Sequence, residues 1–505
     1  MPTPFWGYLS FSSHCGGTTH WPNPLMPTKS PESHLLFVGW HLSQNPEKLA
    51  IPLICALDGG LLKTDFTSER LINRARRALD ALLSSKLDLT RLQLEKSDQP
   101  FGGFSLPIDE EIYDFLLKQK AQGRKLILVC HQSVEDVAEM IGEKNIFDQI
   151  IRGSSVQDIQ AQLGGEYDFI GGDFTPIATW KNATERYVVE KSDKTTNLLT
   201  QNNLPVARKF QRPGASFKAV YKSIRVYQWM KNLLVFVPLI TSWQFANGAA
   251  VKDSFVMFFC FSMVASFGYI VNDILDLQSD RAHPIKRERP FASGRLSIQQ
   301  GAMIGIALLI LALFGCLFLP ASAGLALAAY FILTITYSLY LKTKVMIDIV
   351  ALGGLFTLRV IGGGAAIETE LSFYLLCFSI FIFSSLGLVK RFAELHNLQQ
   401  RNKLTARGRG YRVEDMIPVL IIGITLGYLS VFVMGLYINS PVVTHYYSNT
   451  KFIWFLLPLL TYWLGRMWIL TNRGEMNEDP LIFAVKDRTS VMVLIVAGAL
   501  LFVAK

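Results

Sequence analysis

Cysteine is scarce and scattered in this chain. The six thiols, Cys15, Cys55, Cys130, Cys260, Cys316 and Cys377, stand far apart with no paired spacing. That excludes a cysteine metal cluster or a disulfide scaffold and suits buried thiols in a reducing compartment. No secretory leader is expected either, because the opening residues carry no basic stretch ahead of an apolar core. Their Pro, Ser, Thr and His content predicts an unstructured lead-in over 1–34. The net charge of +9 would suit nucleic acid, but the clustered Lys and Arg sit beside apolar runs. Such placement reads as membrane topology plus phosphate binding, with no nucleic acid partner.

Apolar residues are what the chain has in abundance. They make up 50% of the sequence and the mean hydropathy is +0.29, high for a soluble protein. From about residue 232 the sequence breaks into apolar runs of roughly 16 to 23 residues, the length that crosses a bilayer as helix. About nine such runs are centred near Val235, Met263, Leu308, Ala328, Gly354, Ile380, Ile424, Leu457 and Leu494. Lys and Arg crowd alternate loops, at Arg281 to Arg295, Lys342 and Lys344, and Lys390 to Arg412, and also the entry segment at Lys218, Lys222, Arg225 and Lys231. The loops between, such as 368–370 and 439–450, hold almost none. The positive-inside rule therefore predicts an integral membrane protein with its amino-terminal half in the cytoplasm and its carboxyl end outside, and a bacterial inner membrane is the expected location.

Residues 35–190 have a different texture. "LAIPLICAL" reads as a buried strand, "TSERLINRARRALDALLSS" and "IDEEIYDFLLKQKAQG" as amphipathic helices, "KLILVCH" as a second strand, "SVEDVAEMIGE" as a helix and "YDFIGG" as a third strand. Strands alternating with helices predict a parallel α/β sheet. Residues 191–216 are polar and bounded by Pro and Gly, and predict a linker. The expected architecture is multidomain: an N-terminal α/β domain and, over 217–505, an all-α polytopic membrane domain of about nine transmembrane helices.

The α/β half resembles the haloacid dehalogenase superfamily over roughly residues 36–190, with a first strand running into "LDGGLL". The resemblance implies a nucleophilic Asp where this chain has Ala56, with the second Asp kept at Asp58 and the turn Thr replaced by Gly60. The hydroxyl after the second strand falls on Cys130, and the late acids on Gly172 and Pro176, with Asp173 displaced by one. A methyl group cannot attack phosphorus, and magnesium loses its ligands with those acids. A retained fold without catalysis is expected.

The membrane half carries the opposite signal in "GYIVNDILDLQSDRAHPIKRERPFASG". On a helix Asn272, Asp276 and Asp280 recur at i, i+4 and i+8 with Asp273 beside them, one oxygen-bearing stripe at the end of a span. Such a stripe is costly at membrane depth unless a cation balances it, and hard oxygen ligands suit magnesium carrying a diphosphate. The cations that follow, Arg281, Lys286, Arg287 and Arg289, with His283 among them, are placed to take the remaining phosphate oxygens, and Pro284 and Pro290 to hold the loop.

This pattern, N-D-x-x-D-x-x-x-D-R-x-H-P-x-K-R-x-R-P-x-A-S-G, resembles the UbiA superfamily of intramembrane transferases over about 217–505. A second motif, "YSLYLKTKVMIDIVALGGLFTLRVIGGGAA", offers Tyr337, Lys342, Asp348 and Arg359, keeping one clear acid where several are usual. Further loops offer Lys390, Arg391 and Glu394, and Asp479, Asp487 and Arg488. The resemblance implies loss of a magnesium-bound diphosphate and capture of the electrophilic carbon by a nucleophile. Asn272, Asp273, Asp276 and Asp280 would hold Mg2+; Asp273, Asp276, Lys342 and Asp348 would serve catalysis. Asn272, Arg281, Lys286, Arg287, Arg289, Tyr337, Arg359, Lys390, Arg391 and Asp487 would bind substrate. The variant motifs are similar to the branch typified by decaprenyl-phosphate phosphoribosyltransferase. There the donor is phosphoribosyl diphosphate, the acceptor a polyprenyl phosphate lipid, and the product serves cell envelope biosynthesis. Prenyl transfer to an aromatic or other acceptor is the alternative, and a non-catalytic scaffold or transporter a lesser one.

Overall fold

The structure is a computed structural model that describes residues 50–69, 71–72, 107–153, 159, 162, 164–173, 175–212, 214, 216–400, 410–441, 443, 447–476 and 479–505. The lead-in expected over 1–34 and most of the helix expected in "TSERLINRARRALDALLSS" lie outside the described residues.

The α/β domain is built on β1 (Leu53–Ala56), β2 (Leu126–Cys130), β3 (Gln149–Arg152), β4 (Asp168–Gly172), β5 (Arg186–Glu190) and β6 (Arg208–Gln211). All pairings are parallel, in the order β3-β2-β1-β4-β5-β6. A parallel sheet must be covered on both faces. Leu53 and Cys55 point to one, packing with Ile112 and Leu116 of α1 (Glu110–Ala121) and Val137 and Ile141 of α2 (Val134–Ile141). Ile54 points to the other, with Trp180 of α3 (Ile177–Asn182) and Leu199 of α4 (Lys194–Gln201).

The polar stretch 191–216 is not simply a linker. It supplies α4 and the edge strand β6. In β6 only Phe210 is buried, and an edge strand with polar neighbours carries too weak an alternation to stand out from linker composition.

The membrane domain is helical, and the chain is an integral membrane protein. Short α5 (Phe217–Ile224), a 3-10 segment Val226–Phe236 and α6 (Val237–Thr241) lead into α7 (Gly248–Leu275), which continues as α8 (Leu277–Arg281). Then come α9 (Ile298–Cys316), α10 (Ala321–Leu339), α11 (Ile347–Ala366), α12 (Phe373–Gln400), α13 (Met416–Ile438), α14 (Leu456–Asn472), α15 (Pro480–Lys486) and α16 (Arg488–Ala504). Among the described residues seven helices are long and apolar enough to span, or eight if α15 and α16, bent by 81°, form one broken span. The apolar windows of α7 and α11 are 56% and 61% buried against 22% for α9, so the first two form the centre.

The expected count of about nine is thus corrected at the run near Val235. Here the chain is a 3-10 segment and a five-residue helix restarted at Pro238. The cause is close packing on α11, where a Cβ on Gly363 would lie 2.0 Å from the Val235 carbonyl oxygen. The segment also carries Lys231 and Asn232, whose polar heads turn into the bundle rather than to lipid.

Candidate active site

The acidic stripe sits where α7 gives way to α8. Asn272 and Asp273 end α7, Asp276 occupies the junction, and Asp280 lies in α8. The helical ladder runs through the junction, with the Asp276 N–H donating to Asn272 O and the Asp280 N–H to Asp276 O, both at 2.9 Å. Asp273 and Asp280 are buried while Asp276 is partly open. The i, i+4 spacing therefore places the oxygens together, as the sequence pattern requires.

The stripe resolves into two pairs. Arg289 Nη1 lies 3.1 Å from Asp273 Oδ1 and 2.6 Å from Asp280 Oδ2, and Arg225 also donates to Asp273 Oδ1. Lys342 Nζ lies 3.4 Å from Asn272 Oδ1 and 3.2 Å from Asp276 Oδ1. Lys342 comes from a 3-10 turn, Leu341–Thr343, after α10, so the two motifs meet at this contact. Among the described residues no three His, Cys, Asp or Glu side chains gather as one metal-holding group. Magnesium does not demand such a cage: it is commonly held by one or two carboxylates plus substrate phosphate and water. Each pair already converges on a positive centre, so the donor set fits the ion.

A second polar cluster follows the 3-10 segment. Lys231 Nζ lies 2.6 Å and Lys390 Nζ 3.5 Å from Asp479 Oδ2. Burial pushes the Asp479 carboxyl up, but the two lysines outweigh it and hold the group below the usual carboxylate value. Next to Lys231, Asn232 Oδ1 accepts from Arg359 Nε at 2.7 Å, and Arg359 also donates to Tyr330 at 2.7 Å.

Other expected site residues are engaged elsewhere. Asp348 is 0% and Arg391 1% exposed at the side chain. Asp348 accepts from Arg391 Nε at 2.8 Å and from Tyr411 at 2.7 Å. Arg391 reaches Glu394 and Tyr337 as well. This cluster ties α10, α11 and α12 together. Asp487 pairs with both terminal nitrogens of Arg466 and caps α16 through Ser490, bracing the α15–α16 bend. Arg281 donates to Glu69 of the α/β domain and to Ala292 O. Lys286 and Arg287 are exposed on the loop; His283 Nδ1 accepts the N–H of Ile285 and Lys286 and shapes it.

Arg225, Lys231, Tyr411 and Glu69 were not singled out as site residues from the sequence. Arg225 and Lys231 were visible only as topology-setting charge, and nothing in the local sequence marks Glu69.

In the α/β domain the end of β1 is filled. Arg212 Nε donates to Asp109 Oδ2 at 2.8 Å and its Nη2 to Gly60 O at 2.5 Å. Asp58 accepts from the Phe66 N–H at 2.9 Å and from Gln132 at 3.4 Å. Burial raises the Asp58 carboxyl above its ordinary value, against the Phe66 bond, and pushes the Cys55 thiol up to about 12. A thiol that weakly acidic is no substitute for the carboxylate missing at Ala56.

Several known proteins are similar to this chain. The family model described as "UbiA prenyltransferase family" matches residues 235–497. An uncharacterized protein of Sinorhizobium fredii, y4nM, is 30% identical over 498 residues, 94% of each chain. Decaprenyl-phosphate phosphoribosyltransferase of Mycobacterium tuberculosis is 33% identical over 196 residues, 37% of this chain and 63% of that protein. A solved UbiA homolog from Archaeoglobus fulgidus, bound to GPP and Mg2+, has 14% identity and a TM-score of 0.45, covering 56% of this chain and 99% of that one. With more than half of its length matched by the family model and the two motifs joined at Lys342, the chain belongs to the UbiA prenyltransferase family.

Proposed function

We propose that the protein transfers a phosphoribosyl group from phosphoribosyl diphosphate to a polyprenyl phosphate in the membrane, releasing diphosphate. The observation that supports this reading is the pair Lys231 and Lys390 sharing the single Asp479, beside a stripe whose acids already carry Arg225, Arg289 and Lys342. Two phosphate-bearing substrates need more positive charge than one diphosphate and a neutral ring. The similarity to decaprenyl-phosphate phosphoribosyltransferase points the same way.

In this reading the bond from the ribose anomeric carbon to the diphosphate oxygen breaks, and the diphosphate leaves with the electron pair. An oxygen of the lipid phosphate forms the new bond to that carbon. Arg289 and Lys342 are set to stabilise the charge that grows on the leaving group. Asn272, Asp273, Asp276 and Asp280 would hold Mg2+, which when bound supplies further charge neutralisation there. Lys231 and Lys390 are the cations for the lipid phosphate. In this reading the soluble domain, which extends through β6, and the basic loops face the cytoplasm. We read that domain as a haloacid dehalogenase-type fold retained without its chemistry.

The test is direct. Purified protein with Mg2+, labelled phosphoribosyl diphosphate and a polyprenyl phosphate should yield labelled lipid and equimolar diphosphate. No labelled lipid, together with turnover of a prenyl diphosphate and an aromatic acceptor, would replace this reading with prenyl transfer.

A further inference from the structure

The degenerate strand end has a use. Asp58 accepts the N–H of Phe66 at 2.9 Å, and Asp65 caps the same helical turn through Thr67 N at 3.2 Å and Ser68 N at 3.1 Å. These caps fix the turn that carries Glu69. Glu69 in turn meets the membrane domain: its two carboxylate oxygens accept from Arg281 Nη2 at 2.6 Å and Nη1 at 2.9 Å. The pair is bidentate and nearly sealed from solvent, with side chains 4% and 1% exposed. Arg281 Nε also donates to Ala292 O at 3.2 Å. One guanidinium therefore closes the loop at both its ends, and the loop it closes holds Lys286, Arg287 and Arg289. Close by, Gly294 adopts φ +73°, and a Cβ there would lie 2.8 Å from the Lys63 Cβ, so the loop rests on the turn after β1 as well.

We propose that Glu69 is a positioning residue supplied by the α/β domain: it holds Arg281 as the clasp of the basic loop, and thereby sets Arg289 against Asp273 and Asp280 for diphosphate binding. This rests on reading the stripe as the diphosphate site. It does not depend on which diphosphate ester is the donor, since diphosphate is released in either reaction. Without the Glu69 charge, the buried Arg281 guanidinium loses its bidentate carboxylate and the clasp loosens. The loop cations then sample many positions, and ordering them on the ligand costs binding free energy. Glu69 acts on the loop through Arg281.

The experiment uses the full-length protein in nanodiscs, titrated with inorganic diphosphate in the presence of Mg2+ by calorimetry, with a melting curve for each variant. Glu69→Gln should weaken diphosphate binding by about tenfold or more, the scale of losing a charged hydrogen-bond partner. Arg281→Met should do the same, and Glu69→Gln added to Arg281→Met should cost nothing further, because Glu69 works through Arg281. Should Glu69→Gln not give folded protein, Glu69→Asp, shorter by one methylene, reads the same quantity. Unchanged diphosphate affinity in Glu69→Gln, even with a lowered melting temperature, overturns the proposal and leaves only a docking contact. Additive losses in the double variant overturn it too. A native protein that binds no diphosphate overturns the site reading and the inference with it.

Discussion

The two halves of this protein treat buried charge in opposite ways. Apart from Glu69, the buried acids named in the α/β domain meet partners within that domain: Asp58 takes a backbone N–H and an amide, Asp109 takes Arg212, and Asp168 takes Arg124. Each is a closed pair that a folded domain needs and a substrate does not. In the membrane domain the acids form a row that shares its cations, Arg289 spanning Asp273 and Asp280, and two lysines share the single Asp479. Such a row is costly at membrane depth unless balanced, and Arg225, Arg289 and Lys342 balance it here. The membrane domain nonetheless contains a closed cluster of its own, Asp348 with Arg391, so charge alone does not mark a site. What separates them is whether each group is already matched and sealed.

That contrast can be broken or sharpened by substitution. The largest effect is expected at the sealed pair. Arg391→Met leaves Asp348 as a buried carboxylate and should destabilise the protein by about 3–5 kcal/mol in thermal unfolding, with Arg391→Met plus Asp348→Asn milder. A change under about 1 kcal/mol would place this pair with the functional charges instead. Lys342→Ala should do the reverse: the Asp276 side chain is 29% exposed, so water can take over its solvation and the melting temperature should hardly move. Turnover should fall by about a hundredfold, as when one preorganised charge donor is removed from a reacting centre.

The smallest effect is expected at Asp58, where a working phosphotransferase would suffer most. Asn keeps the oxygen that accepts from Phe66, and its amide can donate to Gln132 Oε1, which has no hydrogen-bond partner among the described residues. Burial gives Asp58 a folded pKa above its unfolded value, so its contribution to stability is fullest below the unfolded pKa and is lost as pH rises through the folded one. Asp58→Asn removes that loss. Melting curves should show equal or greater stability at neutral pH and a flatter pH dependence than the native protein. Clear destabilisation would mean that the carboxylate is needed.

Much of this was legible in the sequence because it rests on short-range spacing. The i, i+4, i+8 oxygens, the strand at "LAIPLICAL" and the long apolar helices follow from local period. Three things were not. β6 hides in polar composition as an edge strand. The run near Val235 has spanning length, yet only contact with Gly363 in α11 shows why it bends. The identity of Arg225, Arg391 and Asp487 as site or scaffold depends on partners 21 to 48 residues away. No local pattern distinguishes a cation awaiting phosphate from one closed on a carboxylate. Glu69 is the extreme case, since its partner lies 212 residues on.

The central claim is that diphosphate displacement occurs at the stripe in the membrane half. It is tested most directly by measuring Mg2+-dependent diphosphate release from phosphoribosyl diphosphate, with a polyprenyl phosphate present, for native protein and Asp276→Asn side by side. Release should be matched by lipid labelling in the native protein and fall on the order of a hundredfold or more in the variant at unchanged melting temperature. Equal release from both proteins would contradict it.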